Sequence, residues 1–215
     1  MPALAKRTRF RRGSLADRTT ESTSSGSQKA GTQPGFRFED VWMDRNQSTA
    51  ADVVDPAAFR RAFRGHPSGV AIITAGGPDG PVGVTASSVA SVSTRPPALS
   101  FSIAENSRLA VPIRHRRSLL VHLLDSRDAD LGARFAEPGA SRFGQETRWR
   151  LTDRGEPHLL DVGTVLRCTV HRTLDVGDAL LVGALVVGML GPGHDGDRLA
   201  YVERRYHSIP AGSGA

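Results

Sequence analysis

Residues 164–190 constrain the fold more than any other stretch of this chain. Thr164 to His171 reads as a strand, Asp175-Val176-Gly177-Asp178 as a hairpin turn, and Ala179 to Leu190 (ALLVGALVVGML) as a long apolar strand. That run is too short to cross a bilayer as a helix, which takes about 20 apolar residues. Gly183 and Gly188 within it predict bulges or tight curvature. A long strand joined to its predecessor by a tight turn commits the chain to antiparallel pairing.

The rest of the chain follows suit. Asp55-Pro56 starts a helix as N-cap and first helical residue, with Phe59, Ala62 and Phe63 on one face and Gly65 as the stop. Val70 to Thr74 and Pro81 to Ala86 form a hairpin around Gly76-Gly77-Pro78-Asp79-Gly80, and ALSFSI (98–103) is a further strand. A helix over Ser107 to Arg117, capped by Asn106 or Ser107, carries a Pro112 that would kink it. Ser118 to Leu124 is a strand, Ser126 caps a helix through Ala136, and Leu199 to Tyr206 is a last strand. About seven strands joined by hairpins, with short helices, predict a mainly β protein built as an antiparallel barrel rather than a doubly wound sheet.

The net charge of +6 invites a nucleic-acid reading, but its location argues otherwise. Residues 1–35 hold Lys6, Arg7, Arg9, Arg11, Arg12, Arg18 and Lys29 against Asp17 and Glu21, which leaves the remainder nearly neutral. Residues 1–50 have the Arg-, Ser- and Gly-rich composition of a disordered tail, and a folded domain is expected over 55–209. A transit peptide, a basic arm for nucleic acid or an acidic partner, and a solvated tail (with Met43 as an internal start) compete for the tail. The one cysteine, Cys168, fits a buried strand position in a reducing compartment, and no secretory segment is evident, so a cytoplasmic location is expected.

Several motifs fail on context. Gly191-Pro192-Gly193-His194-Asp195-Gly196 matches a dinucleotide fingerprint but precedes a strand, not a helix. His194, Asp195 and Asp197 lack a second ligand group, so a polar turn is expected and no metal. No nucleophile elbow is present, so Ser-His-Asp hydrolysis has no support. What remains is Pro81 to Ser102 (PVGVTASSVASVSTRPPALSFS), whose Thr85, Ser87 and Ser88 put hydroxyls and N–H groups at a strand end. Such a segment is either a polar strand end or an anion cradle.

From Asp55 to Ile209 the chain resembles the short-chain flavin reductases with the FMN-binding split-barrel fold, the reductase partners of two-component flavin monooxygenases. The resemblance runs in order through FRRAFRGHPSGVAIIT, GPVGVTASSVASVSTRPPALSFSI, NSR, LGARFA, SRFG, the Gly177-Asp178 turn and LAYVERRYHSI. It implies that Gly83, Val84 and Thr85 line the flavin and that Ser87 and Ser88 hold the FMN phosphate. It places Ser102, Ile103 and Ala104 beside the ring and ribityl chain, Ser107 and Arg108 near the phosphate, and Phe135 against the ring or nicotinamide. The implied function is hydride transfer from NADH or NADPH to FMN, with FAD as a variant. A homodimer is implied, with a monooxygenase as partner and no catalytic acid or base, membrane or nucleic acid. A non-catalytic flavin- or haem-binding split barrel is the alternative. Two positions depart from the family pattern: Ala179 stands where His commonly follows Gly-Asp, and His122 where Asn is usual. Ala179 bears on the nicotinamide contact.

Overall fold

The structure, a computed structural model, describes residues 53–115, 117–193 and 196–212. The expected tail and Met43 lie outside the described residues, as do His194 and Asp195 of the Gly-rich turn. In chain order the elements are α1 (Pro56–Arg64), β1 (Ser68–Gly69), β2 (Ala71–Gly77), β3 (Gly80–Ala86), β4 (Ala90–Thr94) and β5 (Pro97–Ala104). Then come α2 (Ala110–Arg114), β6 (Ser118–Leu123), a 3-10 turn (Ser126–Asp128), α3 (Ala129–Ala136), β7 (Trp149–Leu151) and β8 (Pro157–Leu159). β9 (Thr164–Val176), β10 (Ala179–Leu190), β11 (Arg198–Val202) and β12 (Arg205–Ile209) complete the chain.

The main sheet has seven strands in the order β3-β2-β6-β9-β10-β5-β4, every neighbouring pair antiparallel. The mainly β, antiparallel expectation holds. The β9–β10 hairpin turns at Gly177, whose φ of 58° suits glycine. Its register shifts between Gly183 and Ala184 and between Val186 and Gly188, where the glycines predicted bulges. Six of the seven expected strands lie in this sheet. The seventh, Leu199 to Tyr206, is instead the hairpin β11–β12, which joins β1 in a separate three-stranded sheet. The remaining place in the main sheet goes to β4, which pairs with β5 around a turn at Arg95 and Pro96.

The apolar pattern explains the layers. Alternate residues of β10, Leu180, Val182 and Ala184, point into the barrel with Ile73, Phe101, Val121 and Cys168. β2 and β6 are buried on both faces, so they read as continuous apolar runs. Their other face, Ile72 and Leu120, packs with Phe135 of α3, Leu159 of β8 and Val165 in a second cluster. The sheet curls until β3 meets β5. Among the described residues no ladder bridges that seam, which apolar packing and the hydrogen bonds of one side chain hold. The Ser88 hydroxyl accepts from the Ser102 N–H at 2.9 Å and donates to the Ser102 carbonyl at 3.1 Å.

Caps set the helices. The Asp55 carboxylate accepts from the N–H groups of Ala57 and Ala58, Pro56 opens α1 and Gly65 follows it, as expected. The expected helix 107–117 shrinks to α2: the chain from Ser107 first makes a turn, and Pro112 falls in the first helical turn, where its missing N–H costs nothing. Asp125, not Ser126, is the cap here, and what it caps is the 3-10 turn that leads into α3. Its side chain accepts from Arg127 N–H while Asp128 accepts from Asp125 N–H.

Candidate functional site

A groove runs along the seam between β3 and β5. Its middle, about 280 Å³, is lined by Val84, Thr85, Ser87, Ser88, Ser102, Ile103, Ala104 and Ser107. Next to it lies a hollow of about 560 Å³ that shares Val84 and Ser107 and adds Gly83, Asn106, Arg108, Arg142 and Phe143. Ten of the eleven residues singled out from the sequence therefore line one continuous groove. The exception is Phe135. It is fully buried beneath Gly83, where an added Cβ would lie 2.8 Å from its ring. The ring on the groove wall is Phe143, edge-on to Phe135 at 5.3 Å.

Local folding puts each group there. Gly83 faces Thr74 across the β2–β3 ladder, and its missing side chain leaves room for the Phe135 and Phe143 rings packed against it. The Thr85 hydroxyl donates to the Gly132 carbonyl at 2.6 Å, so it ties β3 to α3 and has no proton left for a ligand. Ser88 is spent on the seam, whereas Ser87 is exposed and makes no side-chain hydrogen bond among the described residues. Ser107 bonds back to the Ala104 carbonyl, and its hydroxyl accepts from Leu109 N–H, which fixes the turn that presents Arg108. Arg142 holds the end of α3 by donating to the carbonyls of Phe135 and Glu137, both at 3.0 Å. Sequence reasoning gave Arg142 and Phe143 no role, because a loop without periodicity does not say which way its side chains point. Ala179 pairs directly with Ala104, and Glu105 N–H donates to Asp178 O at 2.9 Å, so the Gly-Asp turn sits at the mouth of the groove.

Behind the sheet, two buried polar groups pin the β7–β8 hairpin. Glu156 accepts from Ser118 and Thr152 hydroxyls and pairs with Arg167 at 3.0 Å. His122 donates from Nδ1 to Ile72 O and accepts at Nε2 from Leu159 N–H, both at 3.1 Å. Burial pushes its imidazole down to about 3, aided by His158 and opposed by the Ile72 bond. Between pH 3 and the ordinary 6.5 the unfolded chain binds a proton that the folded one refuses. Stability from this site is thus complete above pH 6.5 and is lost as pH falls toward 3, by up to about 1.4 kcal/mol per unit. His122→Asn should flatten that slope in denaturant unfolding followed from pH 7 to 4. Identical slopes in the two proteins would show that His122 does not set it.

Burial also pushes the Cys168 thiol up to about 12, as expected of a core cysteine. Among the described residues no group of three or more His, Cys, Asp or Glu is placed to hold a metal, and no helix is long and apolar enough to cross a membrane.

The geometry meets known proteins at this point. A family model described as a flavin reductase like domain matches residues 63–210. An NADH:FMN oxidoreductase of Rhodococcus erythropolis is 41% identical over 128 residues, covering 60% of this chain and 67% of that protein. The stachydrine N-demethylase reductase subunit of Rhizobium meliloti is 32% identical over 157 residues, covering 73% of this chain and 67% of that one. The crystal structure of a flavin reductase domain protein from an Arthrobacter species superposes with a TM-score of 0.67 at 32% identity, over 74% of this chain and 99% of the other.

Proposed function

Because the chain belongs to the flavin reductase-like family of oxidoreductases, we propose that it is an NAD(P)H-dependent FMN reductase whose flavin lies in the β3–β5 groove. The observation that carries this is the convergence of hydroxyl, N–H and guanidinium donors from separate segments on one groove. That donor set fits a phosphate beside a flat ring. When bound, FMN supplies an N5 that accepts hydride from the C4 of a reduced nicotinamide.

The protein's share of the chemistry is placement. Ser87 donates to the phosphate from its hydroxyl and its N–H, and Ser88 adds its N–H while its hydroxyl keeps the seam. Arg108 supplies the nearby positive charge. Gly83 and Val84 line the ring site, Ile103 and Ala104 flank it, and Phe143 shields it from water. No side chain need move a proton. Ala179 gives the nicotinamide side no hydrogen-bonding side chain, so orientation there falls to the backbone of the Gly-Asp turn.

Consumption of NADH and NADPH with FMN, FAD and riboflavin, followed by loss of nicotinamide absorbance, tests the reading. Turnover supports it. Bound flavin without turnover on either nicotinamide favours a non-catalytic flavin carrier and implicates Ala179. Ser87→Ala should weaken FMN about tenfold, the worth of one charge-assisted hydrogen bond, at an unchanged unfolding midpoint. Ser88→Ala should lower both affinity and midpoint. Wild-type FMN affinity in Ser87→Ala would remove the phosphate from this loop.

The same reading includes a homodimer and an oxygenase partner in the cytoplasm. Support for the dimer comes from β10, whose outward residues Leu181, Val187 and Met189 are exposed beside Leu174 and Val92. A strand apolar on both faces fits burial on both. Leu181→Lys should convert a dimer to a monomer in light scattering, and a monomeric wild type would sink the proposal. Support for the oxygenase is the reductase-subunit role in the name of the Rhizobium relative.

A further inference from the structure

The groove does not end at Ser87 and Ser88. Both residues also line a larger cleft, about 730 Å³, formed by α1, the β1 edge and the β11–β12 turn. Arg60, Arg64, His66 and Arg204 line it together with Phe59 and Phe63, and among the described residues no carboxylate does. Arg64 is paired with Glu203 at 3.2 Å, but among the described residues Arg60 and Arg204 form no ion pair. A cleft whose charged lining residues are arginines concentrates anions.

Two further observations point to a ligand here. Helix α1 buries none of its residues, and its apolar face consists of Phe59 and Phe63, 56% and 59% exposed, with ring centroids 4.8 Å apart. The rings border this cleft instead of the core, where they offer a stacking surface for a flat heterocycle. The second is the β11–β12 turn. Glu203 and Arg204 sit at φ of 53° and 64°, a pair of left-handed residues that a two-residue hairpin normally gives to Asn-Gly. Bulky side chains are strained there, and the Glu203 bonds to Arg64, through the ion pair and an N–H to the Arg64 carbonyl at 2.9 Å, hold the turn in place. The result is Arg204 at the cleft wall.

We propose that this cleft is an adenylate subsite, taking adenine against Phe59 and Phe63 and phosphate at Arg60 and Arg204. The proposal rests on the flavin reading above. With the FMN phosphate at Ser87 and Ser88 and the ring toward Ala104, the cleft lies beyond the phosphate, on the side away from the ring, where the AMP half of FAD extends. The ADP half of the reduced nicotinamide dinucleotide carries the same chemistry, so the test separates the two sources.

The full chain is titrated calorimetrically with ADP, FMN and FAD, and KM is compared for NADH and reduced nicotinamide mononucleotide. ADP alone should bind, and FAD should bind at least tenfold more tightly than FMN. Arg204→Ala and Arg60→Ala should each lower the FAD-to-FMN affinity ratio about tenfold. The double variant Glu203→Asn with Arg204→Gly should lower the same ratio while raising the thermal midpoint, which separates a lost contact from a damaged fold. If the FAD ratio stays flat but the variants raise KM for NADH more than for the mononucleotide, the subsite stands and its occupant is the nicotinamide dinucleotide. FMN binding with no ADP binding and no adenylate preference in either arm overturns the subsite alone. A wild type that binds neither FMN nor FAD overturns the flavin reading beneath it.

Discussion

Glu156→Ala lowers the unfolding free energy by about 3–5 kcal/mol, a large part of the 5–15 kcal/mol a folded domain commonly has. Glu156 is 1% exposed and gathers Ser118 of β6, Thr152 of the β7–β8 turn and Arg167 of β9 on one carboxylate. Arg167 is itself mostly covered, and its Nε has no partner among the described residues. Its other counter-ion, Asp153, is largely exposed and so screened by water. Without Glu156 the guanidinium stays buried with too little compensation, the Thr152 hydroxyl loses its acceptor, and the Ser118 hydroxyl keeps only the Cys168 carbonyl at 3.5 Å. The cost comes from stranding the partner, so the double variant Glu156→Leu with Arg167→Leu should recover most of the loss. Denaturant unfolding measures both. A loss below about 1 kcal/mol in the single variant would show that the cluster is well hydrated.

The second large effect falls on the groove floor. Gly83→Val should cost about 3 kcal/mol and weaken FMN at least tenfold. A Cβ at position 83 meets the Phe135 ring at 2.8 Å and the Phe143 ring at 3.2 Å. Phe135 is fully buried and has nowhere to go, so overpacking strain is unavoidable and Phe143 is driven toward the groove. Gly83→Ala should show the same two effects, smaller. Unchanged melting and unchanged FMN titration in Gly83→Val would mean that the rings part freely and that the floor is not where the flavin rests.

How far the sequence revealed this molecule depends on the kind of signal each segment carries. Ala179 to Leu190 was legible to the residue, since a Gly-Asp turn opens it and a Gly-Pro-Gly turn closes it. β4 was not. Its ASVST is small, hydroxyl-rich and almost wholly exposed, so no alternation marks it as a strand. The β11–β12 hairpin hid behind a turn made of Glu203 and Arg204, residues that ordinarily continue a strand or helix. β7 and β8 have three residues each, too few for a period to show. At the site, residue types near a strand end indicated which segment forms the groove. They did not distinguish a hydroxyl left free, Ser87, from one consumed by the fold, Ser88, because that depends on Ser102, fourteen residues away. Nor did spacing on α3 decide that Phe135 turns inward while Phe143 takes the wall.

Because the hydrogen bonds across the β3–β5 seam come from one hydroxyl, ligand affinity at the proposed flavin groove is a composite quantity. A seam held by a ladder opens only with the whole sheet, whereas one held by Ser88 and Ser102 opens locally. On the flavin reading, any fraction of molecules with the seam apart lacks an intact groove, and the measured dissociation constant is the intrinsic one divided by the closed fraction. The occupant in turn raises that fraction, so cofactor concentration and barrel integrity are two readings of a single equilibrium.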